Sequence, residues 1–207
     1  EDVTRCRRRV GDTNNWPGAG HHWVGPSLNV ERIVSRAPGK LVVLGEYAVL
    51  RGAPAMALAV DRYCHAEIGP SEDAHCHLLS RIGEDHTASF SPEMWTGFGL
   101  VDEVIKSLPE VSPWRGTLDS RELFSGDVKL GLGSSSAALT SWAGAWRIFS
   151  GKNSLEANSD TLKTLVGLHR AIQGGAGSGV DVAASLFGGV IRYQLLELSE
   201  PSVSVAR

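Results

Sequence analysis

The stretch KLGLGSSSAALTSWAGA, residues 129–145, restricts the fold of this chain more than any other. Gly131 and Gly133 permit a turn that other residues resist, and three serines follow before a run rich in alanine and tryptophan. Serine hydroxyls compete with helical hydrogen bonds in a helix interior but suit a helix start. A buried helix of about four turns is therefore expected from the serines to Phe149, stopped by Ser150 and Gly151. The glycines would let a ligand approach the backbone, and the amides of Ser134, Ser135 and Ser136 would be donors at the positive end of a helix dipole. Such an opening suits a phosphate, and a serine hydroxyl can add a phosphate contact or one oxygen ligand to Mg²⁺. Plain helix capping with close packing accounts for the same residues. The stretch is not a P-loop, since no Gly-Lys-Ser/Thr follows at the required spacing. A dinucleotide fingerprint fails at Ser136, and a nucleophile elbow fails at Ala137, where each pattern needs a glycine.

The rest of the chain supplies a sheet for that helix. ERIVSRA reads as a strand from Glu31, KLVVLG as a short apolar run, and PAMALAVDRYCHAEIG as one or two further strands. PSEDA marks a turn across which AHCHLLSR can pair back as a hairpin. Phe98, Val101, Ile105 and Leu108 share one helical face, and RGTLDSREL alternates like a strand. A second helix is expected from Ser159 or Asp160 to Gly174, then a loop and short helix in GSGVDVAASLF, then a strand in GGVIRYQLL. The order predicts an α+β domain, a two-layer sandwich of a mixed or antiparallel sheet with helices on one face. Residues 1–29 show no periodicity and read as an unpatterned extension, with residues 30–207 as the domain. No internal repeat is present.

Composition narrows the function. With 207 residues, 42% hydrophobic and 21% charged, the chain can build a sizeable core. A formal charge of −3 argues against a nucleic-acid partner. Three cysteines, Cys6, Cys64 and Cys76, in a chain this large fit a reducing, cytoplasmic setting better than a disulfide scaffold. No apolar run reaches the roughly 20 residues of a membrane helix. Cys64, His65, His75, Cys76 and His77 match no common zinc spacing and are read as ordinary hairpin residues. Trp142 and Trp146 sit four apart on the serine-led helix, as core or domain contact, with adenine stacking left open.

Two further loops carry unusual residues. In RAPGKLVVLGEYAVLRGAPA, residues 36–55, Pro38 and Gly39 deliver Lys40 to the start of an apolar strand, where a cation belongs only at a site or a solvated edge. In QGGAGSGVDVAASLFGG, residues 173–189, Asp181 follows a glycine-rich run and is either a helix cap or a carboxylate held in a cleft.

Taken together and in this order, APGKLVVLGEYAVLRGAPAMALAVD, GLGSSSAA and GSGVD resemble the three motifs of the GHMP kinase superfamily, over residues 32 to about 195. The resemblance implies the fold of that family's N-terminal domain, which is similar to domain 2 of ribosomal protein S5. GEYAVL and GSGVDVAASLFGG look most like phosphomevalonate kinases, since mevalonate kinases usually have His where this chain has Tyr47. The family's phosphate loop carries over to Gly131, Leu132, Gly133, Ser134, Ser135 and Ser136, with ATP as cofactor and Ser135 in the place of the serine that touches Mg²⁺. Its reactive pair falls on Lys40 and Asp181. Glu46, Tyr47, Ser178 and Gly179 lie where relatives contact substrate. The implied partner is a small-molecule substrate, with no nucleic acid or membrane, and a homodimer is left open. A phosphorylated acceptor would call for extra cations, for which Arg51, Arg62, Arg170 and Arg192 are candidates.

Two departures stand beside the resemblance. Mevalonate kinases place a second Mg²⁺-binding Glu eleven residues before the catalytic Asp, and this chain has Arg170 there, preceded by His169. Full family members also carry a C-terminal domain with a third glycine-rich motif, which these 207 residues lack. The expected activity is phosphoryl transfer from ATP to phosphomevalonate. Mevalonate or another small alcohol is the alternative acceptor, and a non-catalytic nucleotide-binding domain is the alternative of another class.

Overall fold

The structure is a computed structural model that describes residues 6–11, 30–82, 84–109, 112–175, 177–197 and 200–206. Among them the elements run β1 (Cys6–Gly11), β2 (Val30–Leu44), β3 (Ala55–Pro70), β4 (Cys76–Ile82), β5 (Glu84–Phe90), α1 (Gly99–Ser107) and β6 (Trp114–Asp119). They continue with β7 (Phe124–Ser125), β8 (Val128–Lys129), α2 (Ser134–Phe149), α3 (Ser159–Ile172), α4 (Val180–Phe187), β9 (Val190–Glu197) and β10 (Glu200–Ala206).

The long strand β3 organises the sheet. Antiparallel β2 lies along one edge. On its other edge β9 pairs with Ala55–Leu58 and β6 with His65–Pro70. Strand β4 joins β6 in parallel and β5 in antiparallel, β1 borders β2, and β10 borders β9. The result is the mixed sheet of an α+β fold, with α2 and α4 packed on β2 and β3. Because successive strand residues face opposite sides, Val42, Ala57 and Ile191 turn toward the helices. Their neighbours Leu41, Val43, Met56 and Val190 stand on the other face, each 40–49% exposed.

Under α2 the core is aromatic. The rings of Trp142 and Trp146 stack with centroids 6.3 Å apart, and Trp114 meets them edge-on at 5.6 and 5.5 Å. Both α2 tryptophans are fully buried, and the indole N–H of Trp146 donates to the Leu108 carbonyl at 2.8 Å. Their faces are occupied by the core, which removes the adenine-stacking alternative.

Several local expectations change. AHCHLLSR does not fold back on the preceding strand, because the almost wholly buried β6 inserts between β3 and β4. The PSEDA turn is instead closed by Asp73, which accepts from the His75 amide, the Ser71 hydroxyl and the His77 ring. The strand expected to reach Leu123 stops at Asp119, whose carboxylate accepts from the Arg121 amide and turns the chain into a 3₁₀ turn, Arg121–Leu123. ERIVSRA and KLVVLG are one strand, broken in register at Gly39, and the second candidate run is a single strand, β3. Within the stretch read as unpatterned, Cys6–Gly11 pairs with Val30–Ser35. Residues 1–5 and 12–29, with His21 and His22, lie outside the described residues.

Candidate functional site

The site begins at the kink in β2. A Cβ on Gly39 would come within 2.7 Å of the Leu132 carbonyl oxygen and 2.6 Å of Leu123, so only glycine lets the loop before α2 lie on the strand. The Lys40 amide donates to that same carbonyl at 2.7 Å. Lys40 shares strand parity with Val42 and so faces the helices. Its stem passes over Gly133, where a Cβ would fall 2.8 Å from Lys40 Cγ and 3.0 Å from Cε. Gly131 and Gly133 both hold positive φ, +73° and +71°.

Gly133 caps α2 without any side-chain cap, and no acidic residue occupies the first turn. Among the described residues the amides of Ser134, Ser135 and Ser136 find no acceptor within the protein. Three bare N–H groups at the end of a 16-residue helix, beside a lysine stem, make an anion seat. The serine side chains do other work. Ser136, fully buried, donates to the Gly133 carbonyl at 2.8 Å and meets Ser185 of α4 at 3.2 Å. Ser135 Oγ lies 3.1 Å from Nε2 of His169, a buried residue of α3.

Helix α4 brings Asp181 into the neighbourhood. Asp181 and Ser185 are one turn apart on the same helix face, so Asp181 lies one helical turn along α4 from the residue that meets Ser136. Its carboxylate accepts from the Val182 amide at 3.0 Å, and no ion pair joins it to Lys40 among the described residues. The loop ahead of it is clamped from below: the buried Tyr193 hydroxyl donates to the Ser178 carbonyl. Gly179, at φ +85°, leaves no room for a Cβ, which would meet Val166 at 2.6 Å. Burial lifts the Tyr193 phenol to about 12, with the Asp181 charge acting in the same direction and Arg170 opposing it. Tyr193 therefore stays a donor.

The structure thus brings Lys40 and the 131–136 loop together, and α4 reaches the loop through the Ser136–Ser185 contact, one turn along from Asp181. Glu46 and Tyr47 lie beyond Leu44, with about 13 Å of strand between Lys40 and that residue, and both are exposed. The turn that carries them packs at Gly45 on Ala55, which pairs with Tyr193, the residue that holds the Ser178 carbonyl. Of the candidate arginines, Arg170 donates to the Gly177 carbonyl, Arg192 to Gln194 and Arg62 to the Glu122 carbonyl, while Arg51 ends the 3₁₀ turn Ala48–Arg51. His65 and His77 bond the carboxylates of Glu122 and Asp73. Among the described residues no group of three His, Cys, Asp or Glu side chains could hold a metal ion.

His169 is a site residue that the sequence reading did not single out. Its signal is its place in the buried stripe Leu162, Leu165, Val166, His169, where every other member is apolar.

No family model matches the chain. It is 32% identical over 187 residues to a phosphomevalonate kinase of Streptomyces sp., covering 78% of this chain and 49% of that protein. It is 29% identical over 178 residues to a mevalonate kinase of Thermococcus sibiricus, covering 79% and 52%. Its fold matches the Streptococcus pneumoniae phosphomevalonate kinase solved with phosphomevalonate and AMPPNP, with a TM-score of 0.66 at 20% identity over 84% of this chain and 59% of that one. In sequence and in fold the chain is similar to kinases of the GHMP superfamily. Its relatives there are kinases of mevalonate and of phosphomevalonate, and the chain spans about half the length of the curated relatives it matches. No helix among the described residues is long and apolar enough to cross a membrane.

Proposed function

We propose that this chain is the nucleotide-binding part of an ATP-dependent kinase that phosphorylates a small acceptor of the mevalonate pathway, with phosphomevalonate as the preferred acceptor. The observation that carries the reading is the Lys40 stem lying against Gly133 at the uncapped start of α2. Phosphoryl transfer needs charge neutralisation and in-line placement more than covalent help, and this arrangement offers the first. The bare amides of Ser134–Ser136 would hold nucleotide phosphates, and Lys40 would stabilise the moving charge. When bound, ATP supplies the phosphoryl group and Mg²⁺ offsets its charge. The residues present fit Mg²⁺ as a partial shell: the Ser135 hydroxyl would hold it, no cluster of three His, Cys, Asp or Glu side chains adds to it among the described residues, and the ion would keep several waters and phosphate oxygens.

Asp181 has a role that depends on the acceptor. An alcohol must lose a proton, and the Asp181 carboxylate could take it. A phosphate monoester is already anionic at neutral pH, which leaves Asp181 an orienting group. The Streptomyces and Streptococcus relatives support the phosphorylated acceptor, and the Thermococcus relative supports mevalonate. Localisation in the cytoplasm accords with the thiol usage.

The test is ADP release with ATP and Mg²⁺, supplying phosphomevalonate or mevalonate in turn. Release that depends on phosphomevalonate is expected, falling about 10²–10³-fold in Lys40→Met. Asp181→Asn should cost about 10²–10⁴-fold with an alcohol acceptor and far less with a phosphate acceptor. Nucleotide binding with no turnover on either acceptor overturns the kinase reading in favour of a binding domain, a second reading favoured by Arg170 at the family's carboxylate position.

A further inference from the structure

His169 Nε2 has two neighbours, the Ser135 hydroxyl oxygen at 3.1 Å and the Gln173 side-chain nitrogen at 3.3 Å. An amide NH₂ can only donate, so the imidazole nitrogen facing it accepts and the ring proton sits on Nδ1. Ser135, the nearer of the two, then shares that nitrogen's single lone pair as its second donor. Its own proton is spent on the histidine, and the oxygen turns only lone pairs toward the α2 terminus. Lone pairs repel a phosphate oxygen and attract a cation. The ring cannot swing away, because His169 is 3% exposed within the stripe that packs α3 on the core.

We propose that His169, oriented by Gln173, is a positioning residue that commits the Ser135 oxygen to a divalent cation and withholds it from the phosphates. This rests on the nucleotide-binding reading above and explains how a site with Arg170 in place of a family carboxylate keeps one oriented protein oxygen for a metal. The three amides still serve the phosphates, so the two tasks are divided between backbone and side chain.

The experiment titrates the 207-residue chain with ADP by calorimetry, once with Mg²⁺ and once with EDTA, and reads the ratio of the two affinities. His169→Leu should lower the Mg²⁺ enhancement about fivefold or more while the affinity in EDTA stays equal or rises, since the freed hydroxyl can then donate to phosphate. His169→Gln, whose carbonyl oxygen can take the same proton, should restore the enhancement. In parallel, long-range ¹⁵N–¹H spectra of the unliganded chain should show His169 as the Nδ1–H tautomer. An unchanged ratio in His169→Leu, an equal loss with and without Mg²⁺, or an Nε2–H tautomer each overturns the proposal. Should His169→Leu fail to fold, the exposed Gln173→Leu carries the same test, with a smaller loss in the same direction expected and an unchanged tautomer and ratio overturning it. A wild-type chain that binds no ADP in either buffer defeats the nucleotide reading instead, and the tautomer then decides the arrangement of His169 alone.

Discussion

At the scale of single residues, the site is shaped by what is missing from four glycines. Gly39, Gly133 and Gly179 each stand where a Cβ would strike a neighbour, and Gly131 and Gly133 also hold a left-handed backbone. Gly133→Ala should cost about 1–2 kcal/mol for the backbone alone, with more from the collision with Lys40, read as a lowered urea midpoint. The same change should weaken ADP binding by more than the stability loss explains, because it displaces the lysine stem. These positions were legible in the sequence as glycines ahead of a lysine, of serines or of an aspartate. The partners were not, since the neighbours that make each glycine necessary come from strands and helices distant in the chain. Leu132 above Gly39, Val166 against Gly179 and His169 against Ser135 are products of tertiary packing that no local pattern encodes.

Among the elements, α2 carries both the core and the site, and its boundaries could be read from its own residues. Its opening serines, its close at Phe149 and its tryptophans four apart lie where the local pattern puts them. The neighbouring α3 is capped by Asn158, whose side chain accepts from the Thr161 amide at 2.9 Å, one residue ahead of the expected start. The strand order was less legible. Nothing local distinguishes β4 pairing with β3 from β6 entering between them, because both outcomes satisfy the same alternation. Helix α2 lies on β2 closely enough that a Cβ on Gly144 would reach 2.5 Å from Ser35 Oγ. Gly144→Ala should therefore destabilise by about 1–3 kcal/mol in spite of the better helix propensity of alanine. Chemical denaturation measures it, and a gain in stability would show that the helix can lift off the sheet freely.

For the whole molecule, buried protons set the alkaline limit of stability. Burial pushes the Cys64 thiol from 9.0 to about 12, against a weaker opposing hydrogen bond from Ser141, and Tyr193 from 10.0 to about 12. In both groups the folded value lies above the unfolded one, so the folded state keeps protons that the unfolded chain releases. Stability from these groups is complete below about pH 9 and drains away as pH climbs toward 12. Urea midpoints should hold steady from about pH 7 to about 9 and fall beyond it, and Cys64→Ala should flatten part of that fall. A midpoint independent of pH up to about 11 would contradict the enclosure of both groups.

The hydrogen bond from the Lys40 amide to the Leu132 carbonyl ties positions about ninety residues apart. No partly folded species can own the anion seat before that long circuit closes, because neither half of it exists alone. Nucleotide would thus recognise only finished molecules and draw the folding equilibrium toward them, so that occupancy serves as a gauge of completed assembly.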